Sequence, residues 1–142
     1  MDVRLGHRAE CALRLALELA RRWHEGRVKT RDLAAGADTP PAYAAHVLAD
    51  LVRAGLISST AGRAGGYELS RPPGSISLLE VVQAATSPVA NRCPIRNGPC
   101  DPTNPCTVHE PLSAGRESLA DHLATADLAA LVAAEGRGTV SE

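Results

Sequence analysis

Apolar residues recur at helical spacing along the first third of the chain. Within the segment AECALRLALELARRW they stand on one broad stripe: Leu13, Leu15, Leu17, Leu19 and Ala20. This pattern predicts an amphipathic helix over about residues 10–23. Gly26 ends it, and Thr30 is placed to cap a shorter helix over residues 31–37. The chain is therefore predicted to begin with two helices.

A third apolar stripe follows two adjacent prolines. Pro40 and Pro41 fit the first turn of a helix, because backbone N–H groups there have no intrahelical acceptor. The buried face of this helix is predicted to carry Val47, Leu48, Leu51 and Val52. Gly55 fits the C′ position that ends the helix. The stretches LISST and YELS, on either side of AGRAGG, then predict the two strands of a hairpin. Three helices and a hairpin are the element order of a winged helix-turn-helix.

The second half of the chain is predicted to be mainly helical. Ser77 and Glu80 have the spacing of a capping box at the start of SLLEVVQAA. Pro111 is predicted to start a longer helix, and its apolar positions suit packing against a partner subunit: Leu112, Leu119 and Leu123. A short helix is expected over residues 127–134. The fold class is thus mainly α with a small β-hairpin, a winged helix-turn-helix followed by a long dimerisation helix.

Composition and charge narrow the functional class. The chain has 142 residues and no Phe, so its core must be aliphatic. No run of eighteen apolar residues and no signal-peptide core occurs, which predicts a cytoplasmic protein without a membrane partner. Residues 1–75 hold eleven Lys/Arg against eight Asp/Glu, and residues 76–142 hold four against eight. A basic front half and an acidic back half suit a nucleic-acid-binding module joined to a second unit.

The candidate DNA-reading residues lie at the start of the third helix. In a helix-turn-helix, the N-terminal residues of the second of the paired helices face base edges in the major groove. The candidates are Ala42, Tyr43 and His46, none of which offers the bidentate contacts of Arg or Asn. Arg63, at the hairpin tip, is placed to reach a phosphate or the minor groove. From pattern alone, a helical hairpin without a ligand competes evenly with this interpretation.

Three of the four cysteines stand in one segment, RCPIRNGPCDPTNPCTVHEP. Six residues separate Cys93 from Cys100, five separate Cys100 from Cys106, and two separate Cys106 from His109. The prolines block a helix and predict a loop that is neither helix nor strand. Zinc modules usually contain a close C-x2-C pair, which is missing, whereas spread thiolates can surround an iron–sulfur cluster. The spacing favours a cluster, and leaves zinc binding and thiol redox chemistry open. Cys11 stands among Ala and Leu and is predicted to be a core residue.

The segment LADLVRAGLISSTAGRAGGYELSRPPGSISLLEVVQA resembles the core of the Rrf-two (Rrf2) family of bacterial transcription regulators, in particular its IscR-like and NsrR-like members. The similarity covers about residues 2–134. It implies a homodimer that binds double-stranded operator DNA through a winged helix-turn-helix and is not an enzyme. The wing arginine of IscR-like members would fall at Ala61, and Arg63 is the candidate to replace it.

The resemblance also favours an iron–sulfur cluster over zinc as the group that the cysteine loop binds. Cluster-binding members of the family carry three cysteines in this loop at nearly the same spacing, which makes Cys93, Cys100 and Cys106 the expected ligands of a 2Fe-2S or 4Fe-4S cluster. The fourth ligand has two candidates: His109 of the same loop, or Glu10 reaching across from the partner subunit. From the pattern alone, Glu10 also fits an ordinary surface ladder with Arg14 and Glu18.

Together these points predict a cluster-dependent repressor or dual regulator that responds to an oxidant, to nitric oxide or to iron scarcity. The expected organisation is a winged helix-turn-helix over residues 1–75, a cluster-binding loop and dimerisation helices over residues 76–134, and a flexible tail over residues 135–142. The alternative is a zinc-stabilised or cluster-free thiol-redox module that binds DNA or another protein.

Overall fold

A computed structural model describes residues 5–86, 92–93, 95–96, 98–99, 101 and 103–137. Along these residues the helices are α1 (His7–Arg21), α2 (Thr30–Gly36), α3 (Pro41–Arg53), α4 (Leu78–Ala84), α5 (His109–Thr125) and α6 (Leu128–Arg137). The strands are β1 (Ile57–Thr60), β2 (Gly66–Leu69), β3 (Arg92–Cys93) and β4 (Gly98–Pro99). The mainly helical fold with a small hairpin is confirmed.

The core is aliphatic, as the composition predicts. Its largest fully buried side chains come from five helices and from the segment before α4: Leu15, Leu33, Leu48, Leu51, Ile76, Val81 and Leu128. Burial of one such Leu or Ile is worth about 1.5–3 kcal/mol. Because Leu128 joins this cluster, α6 packs on α1 and on the turn at Pro73–Ser75.

Helix α3 is fixed at both ends by local sequence. Pro41 is its first residue, where a missing N–H has no cost. At the other end Gly55 has φ +77°, its N–H donates to the Val52 carbonyl at 2.9 Å, and the Leu56 N–H donates to the Leu51 carbonyl at 3.1 Å. These two bonds form a Schellman motif. The predicted C′ position of Gly55 is therefore confirmed.

Several predicted helix boundaries were wrong. Helix α1 covers His7–Arg21 instead of about residues 10–23. Thr30 is the first residue of α2, and the N-cap position is taken by Lys29, whose side chain makes no capping bond. Helix α5 begins at His109, and Pro111 is its third residue, where the first-turn N–H groups have no intrahelical acceptor anyway. Helix α6 extends to Arg137, so residues 135–137 are helical rather than part of a flexible tail. Residues 138–142 lie outside the described residues.

The hairpin is joined to the helical part by a backbone bridge. Strands β1 and β2 pair antiparallel, with Ile57 opposite Leu69 and Thr60 opposite Gly66. The Val28 N–H donates to the Tyr67 carbonyl at 2.9 Å, and the Tyr67 N–H donates to the Val28 carbonyl at 2.8 Å. The segment before α2 therefore pairs with β2. This pairing fixes the wing, which is the hairpin of β1, β2 and the loop between them, beside α2.

The predicted capping box at α4 is confirmed. The Glu80 N–H donates to the Ser77 hydroxyl at 3.1 Å, and the Ser77 N–H donates to the Glu80 carboxylate at 2.9 Å. Arg71 also donates to that carboxylate at 2.7 Å. The backbone bond from Ser77 and the charge of Arg71 lower the pKa of Glu80. In the part of the chain that the structure describes, no helix has the length and apolarity needed to cross a membrane.

Candidate DNA-reading surface and cysteine loop

The start of α3 presents the predicted reading residues to solvent. Ala42 and His46 are exposed, and Tyr43 is half-buried, whereas Ala44 and Val47 point into the core. The helix thus places a core face and a solvent face on opposite sides of its first two turns. Side chains on that solvent face have the access that base reading requires.

Tyr43 packs against the core and also contacts the first residue of α1. The His7 imidazole stacks on the Tyr43 ring, with ring centroids 5.2 Å apart and an interplanar angle of 21°. Such a stacked pair contributes about 0.5–1.5 kcal/mol beyond its buried area. The beginning of α1 therefore limits the positions that the Tyr43 ring can take. Sequence analysis missed His7 because nothing in a one-dimensional pattern places residue 7 beside residue 43.

A buried carboxylate makes a second connection between α1 and α3. Asp50 is only 6% exposed. The Arg8 Nε donates to it at 2.5 Å, and Arg53 forms an ion pair with its other oxygen. The bond to Asp50 raises the pKa of Arg8, so this guanidinium stays charged. Arg8 also donates to the His46 carbonyl at 3.4 Å. Of these residues, Asp50 is the one that the sequence could have indicated, because it stands between Val47 and Leu51 on an apolar face.

The wing tip carries exposed Ala61, Gly62 and Arg63. The tip is fixed to the segment before α2, since the Lys29 ammonium donates to the Gly62 carbonyl at 2.8 Å. The position of Arg63 at the tip agrees with its predicted place. Its contact with DNA stays a prediction.

The cysteine loop contains a short β-ladder as well as turns. Cys93 in β3 pairs with Gly98 in β4, so the expectation of neither helix nor strand was wrong. Pro99 has no N–H to donate to a ladder, and it is tolerated because both strands of this two-stranded sheet are edge strands. Cys93 is 5% exposed and Cys106 is half-buried. Their sulfur atoms are 3.2 Å apart, although thirteen positions separate them in the chain.

Two of the three predicted thiolates are therefore brought together. Cys100 lies outside the described residues. Within the described part, no group of three or more His, Cys, Asp or Glu side chains is arranged to hold a metal ion.

The two candidate fourth ligands lie on different elements. The exposed His109 is the first residue of α5, and its N–H donates to the Cys106 carbonyl at 3.1 Å. This bond keeps the start of α5 next to the cysteine loop. Glu10 is half-buried in the first turn of α1, one turn after His7. His109 thus lies beside the cysteine loop of its own chain, whereas Glu10 lies on α1.

Cys11 is a core residue, as predicted. It is fully buried, and its thiol lies 3.6 Å from the Thr39 hydroxyl, which donates to the Ala37 carbonyl at 3.1 Å. The thiol therefore packs under the turn between α2 and α3, away from solvent.

These elements define a winged helix-turn-helix regulator with a cysteine-bearing loop before a long exposed helix. The family model Rrf2, described as an iron-dependent transcriptional regulator, matches residues 5–134. The chain belongs to the Rrf2 family. Its members are transcriptional regulators rather than enzymes, and DNA binding follows from that membership.

The names of similar proteins agree with membership of this family. The chain is similar to an HTH-type transcriptional regulator of Mycobacterium tuberculosis strain H37Rv, with 34% identity over 131 residues, 89% of this chain and 81% of the relative. It is 32% identical over 108 residues to the regulator IscR of Xenorhabdus nematophila, which is 75% of this chain and 65% of that protein.

Solved structures share the fold. IscR of T. potens superimposes with a TM-score of 0.80 at 18% identity, over 100% of this chain and 95% of that one. CymR of B. subtilis, titled the global cysteine regulator, superimposes with a TM-score of 0.72 at 20% identity, over 93% and 98% of the two chains.

Proposed function

We propose that this regulator binds an iron–sulfur cluster, 2Fe-2S or 4Fe-4S, and that the state of the cluster sets its affinity for operator DNA. The observation that carries the proposal is the 3.2 Å separation of the Cys93 and Cys106 sulfur atoms. Cys100, in the same loop, is the third proposed thiolate.

The sulfur pair fits a shared metal ion. Two thiolates on one tetrahedral ion, as on one iron of a 2Fe-2S cluster or on zinc, lie about 3.8 Å apart, which a small rotation of either side chain reaches from 3.2 Å. A 4Fe-4S cluster takes one thiolate on each iron, so the two sulfur atoms would have to move further apart to bind it. The burial of Cys93 gives one side of such a site a dry environment. When bound, a cluster supplies redox and ligand-exchange chemistry that responds to an oxidant, nitric oxide or iron scarcity.

The test is anaerobic purification followed by counts of iron and acid-labile sulfide. We expect a coloured protein with equal amounts of both elements. Cys93→Ala, Cys100→Ala and Cys106→Ala should each lose the cluster, and Cys11→Ala, a matched change in a buried core thiol, should retain it. Full iron content in any loop variant would refute the assignment, and zinc without sulfide would replace the cluster by a structural zinc ion.

The fourth ligand is proposed to be Glu10 of the partner subunit or His109. Replacing the true ligand by Ala should leave the three thiolates bound to the cluster while shifting its visible spectrum. The spectra of Glu10→Ala and His109→Ala, recorded without oxygen, separate the two. The variant with a wild-type spectrum identifies a residue that is not a ligand.

The DNA partner is proposed to be an inverted repeat bound by a homodimer. A two-fold dimer needs half-sites about one helical turn, or a multiple of it, apart. Because Ala42, Tyr43 and His46 offer few bidentate contacts, the site should tolerate base changes and be sensitive to A·T content. Arg63→Ala should weaken binding, and unchanged affinity across salt concentrations would show that the wing tip does not contact DNA.

A second candidate is a thiol switch without a cluster, favoured by the same sulfur pair. Oxidation by hydrogen peroxide would join the Cys93 and Cys106 sulfur atoms, with loss of both thiol protons and two electrons. The peroxide O–O bond would break to give two waters. The structural likeness to CymR, titled a cysteine regulator, agrees with this candidate. Iron-free protein whose mass falls by two hydrogens on oxidation, together with a change in DNA affinity, would support it over the cluster.

A further inference from the structure

The chain uses lysine at a single position. Of its fifteen Lys and Arg residues, Lys29 is the one lysine and the other fourteen are arginine. Arginine suits planar, bidentate partners, whereas a lysine ammonium is a compact charge on a flexible stem that binds phosphate as a point charge. The surroundings of Lys29 therefore indicate what it binds.

Lys29 lines a groove between the start of α2 and the wing. The groove has a volume of about 350 Å³ and is lined by Lys29, Thr30, Ser59, Thr60, Ala61, Gly66 and Tyr67. The Val28–Tyr67 bridge fixes its two sides relative to each other. The groove is thus a preformed feature of the wing.

The chemistry of this groove suits an anion with several oxygen atoms. Thr30, Ser59 and Thr60 supply hydroxyl groups, and Lys29 supplies the positive charge, now directed at the Gly62 carbonyl. Among nearby charges, Arg27 is paired with Glu68 at 3.4 Å. Asp32 is exposed on α2. The groove is open, and about half of its lining is polar, unlike the enclosed and mostly apolar pockets that hold small organic ligands.

We propose that this groove seats a backbone phosphate of the bound DNA, with Lys29 as its cation and the hydroxyl groups of Thr30, Ser59 and Thr60 as hydrogen-bond donors. The ammonium would exchange the Gly62 carbonyl for a phosphate oxygen, which also releases the wing tip to adjust to the duplex. The inference rests on DNA binding by the family and is independent of the cluster. It adds a positioning contact beside the reading helix, one that carries no sequence information.

The first test is the salt dependence of DNA binding by the full chain, in one fixed cluster state. Lys29→Gln should make the slope of log K against log salt shallower by about 0.9 for each phosphate that the variant no longer neutralises, or about 1.8 for a dimer. Affinity for operator and for unrelated DNA should fall by the same factor, while Lys29→Arg should keep the wild-type slope.

Arg14→Gln removes the same charge from the exposed side of α1 and should leave the slope unchanged. An unchanged slope for Lys29→Gln, or an equal change for Arg14→Gln, would overturn the proposal. A wild-type protein that binds DNA equally well with and without its cluster would contradict the proposed cluster function instead and would leave this comparison intact.

The second test uses the uniqueness of Lys29. Lys29 and the α-amino group are the amines that an acetylating reagent can modify, and peptide mass spectrometry reports the extent at each. Duplex DNA should protect Lys29 several-fold, and high salt, which releases DNA, should remove the protection. Equal labelling with and without DNA would refute the proposal. Protection by inorganic phosphate but not by DNA would make the groove a small-anion site and would refute it as well.

Discussion

Gly66 is a residue at which a single added methyl group should disturb the bridge between the wing and the segment before α2. It has φ +142°, and a Cβ built on it would lie 2.7 Å from the Val28 carbonyl oxygen and 2.9 Å from the Val28 carbonyl carbon. Real Cβ atoms essentially never come within 3.0 Å of another atom. Both neighbours are backbone atoms, so no side chain can rotate to make space. Gly66→Ala should therefore push the Val28 segment away from β2.

The expected cost has two parts. Placing Ala at a φ that L residues rarely adopt costs about 1–3 kcal/mol. Separating Val28 from Tyr67 also removes two backbone hydrogen bonds, of 2.9 and 2.8 Å, worth about 0.5–1.5 kcal/mol each. We expect a loss of about 2–6 kcal/mol in the free energy of unfolding, a large part of the 5–15 kcal/mol that is typical of a domain.

Gly62→Ala is the matched control, because Gly62 also has a positive φ, +94°, but a Cβ there would meet nothing within 4 Å. It should show the conformational cost alone, about 1–3 kcal/mol. Urea unfolding of both variants measures the difference, which we expect to be about 1–3 kcal/mol, the value of the two hydrogen bonds. If Gly66→Ala is no less stable than Gly62→Ala, the close approach of Val28 is not what requires glycine at position 66.

Three further predictions concern charged groups. Asp50→Asn should cost about 1 kcal/mol in urea unfolding, at the low end for a buried carboxylate, because the side chains of its partners Arg8 and Arg53 are 41% and 71% exposed and can be hydrated. The pKa of Glu80 is lowered, so its contribution to stability is complete above the ordinary glutamate pKa and is lost as the pH falls through the lowered value. Glu80→Gln should therefore make the free energy of unfolding fall less steeply as the pH is lowered through the acid range. Glu135→Gln, which removes the ion pair with Arg21, should lower the free energy of unfolding by no more than about 1 kcal/mol, because both side chains are exposed, and thermal unfolding checks it.

Local patterns predicted the fold well because local chemistry decides most of these elements. The capping box at Ser77 and Glu80, the prolines before α3 and Gly55 after it each act within four residues. The errors arose where a distant contact decides. The β2 strand fixes the chain before Thr30, and Arg21 pairs with Glu135 of α6, 114 positions away in the sequence. A pattern read along the chain does not contain such contacts.

The candidate site was only partly predictable for the same reason. The spacing of the cysteines predicted that their sulfur atoms would converge, and Cys93 and Cys106 do so. The residues that hold α3, His7 and Arg8, carried no signal, because a histidine and an arginine at the start of a helix are ordinary surface residues. The role of Asp50 becomes clear only when α1 and α3 are packed together.

Helix α1 places the candidate ligand Glu10 within one turn of both contacts to α3. His7 stacks on Tyr43, and Arg8 holds Asp50. If Glu10 is a ligand, loss of the cluster acts on α1 directly, and the signal reaches α3 through these two contacts. Asp50→Asn should then retain the cluster spectrum but reduce the difference in operator affinity between cluster-bound and cluster-free protein.

If His109 is the ligand, the signal passes instead through α5, whose first N–H is bonded to the Cys106 carbonyl. Asp50→Asn should then weaken operator binding equally in the two cluster states and leave their ratio unchanged. Titrations of operator DNA with both states of the variant measure that ratio. One pair of results would contradict both routes: Glu10→Ala keeps the wild-type spectrum, and Asp50→Asn still reduces the ratio. The contact at Asp50 would then transmit a signal that neither candidate ligand brings to α1.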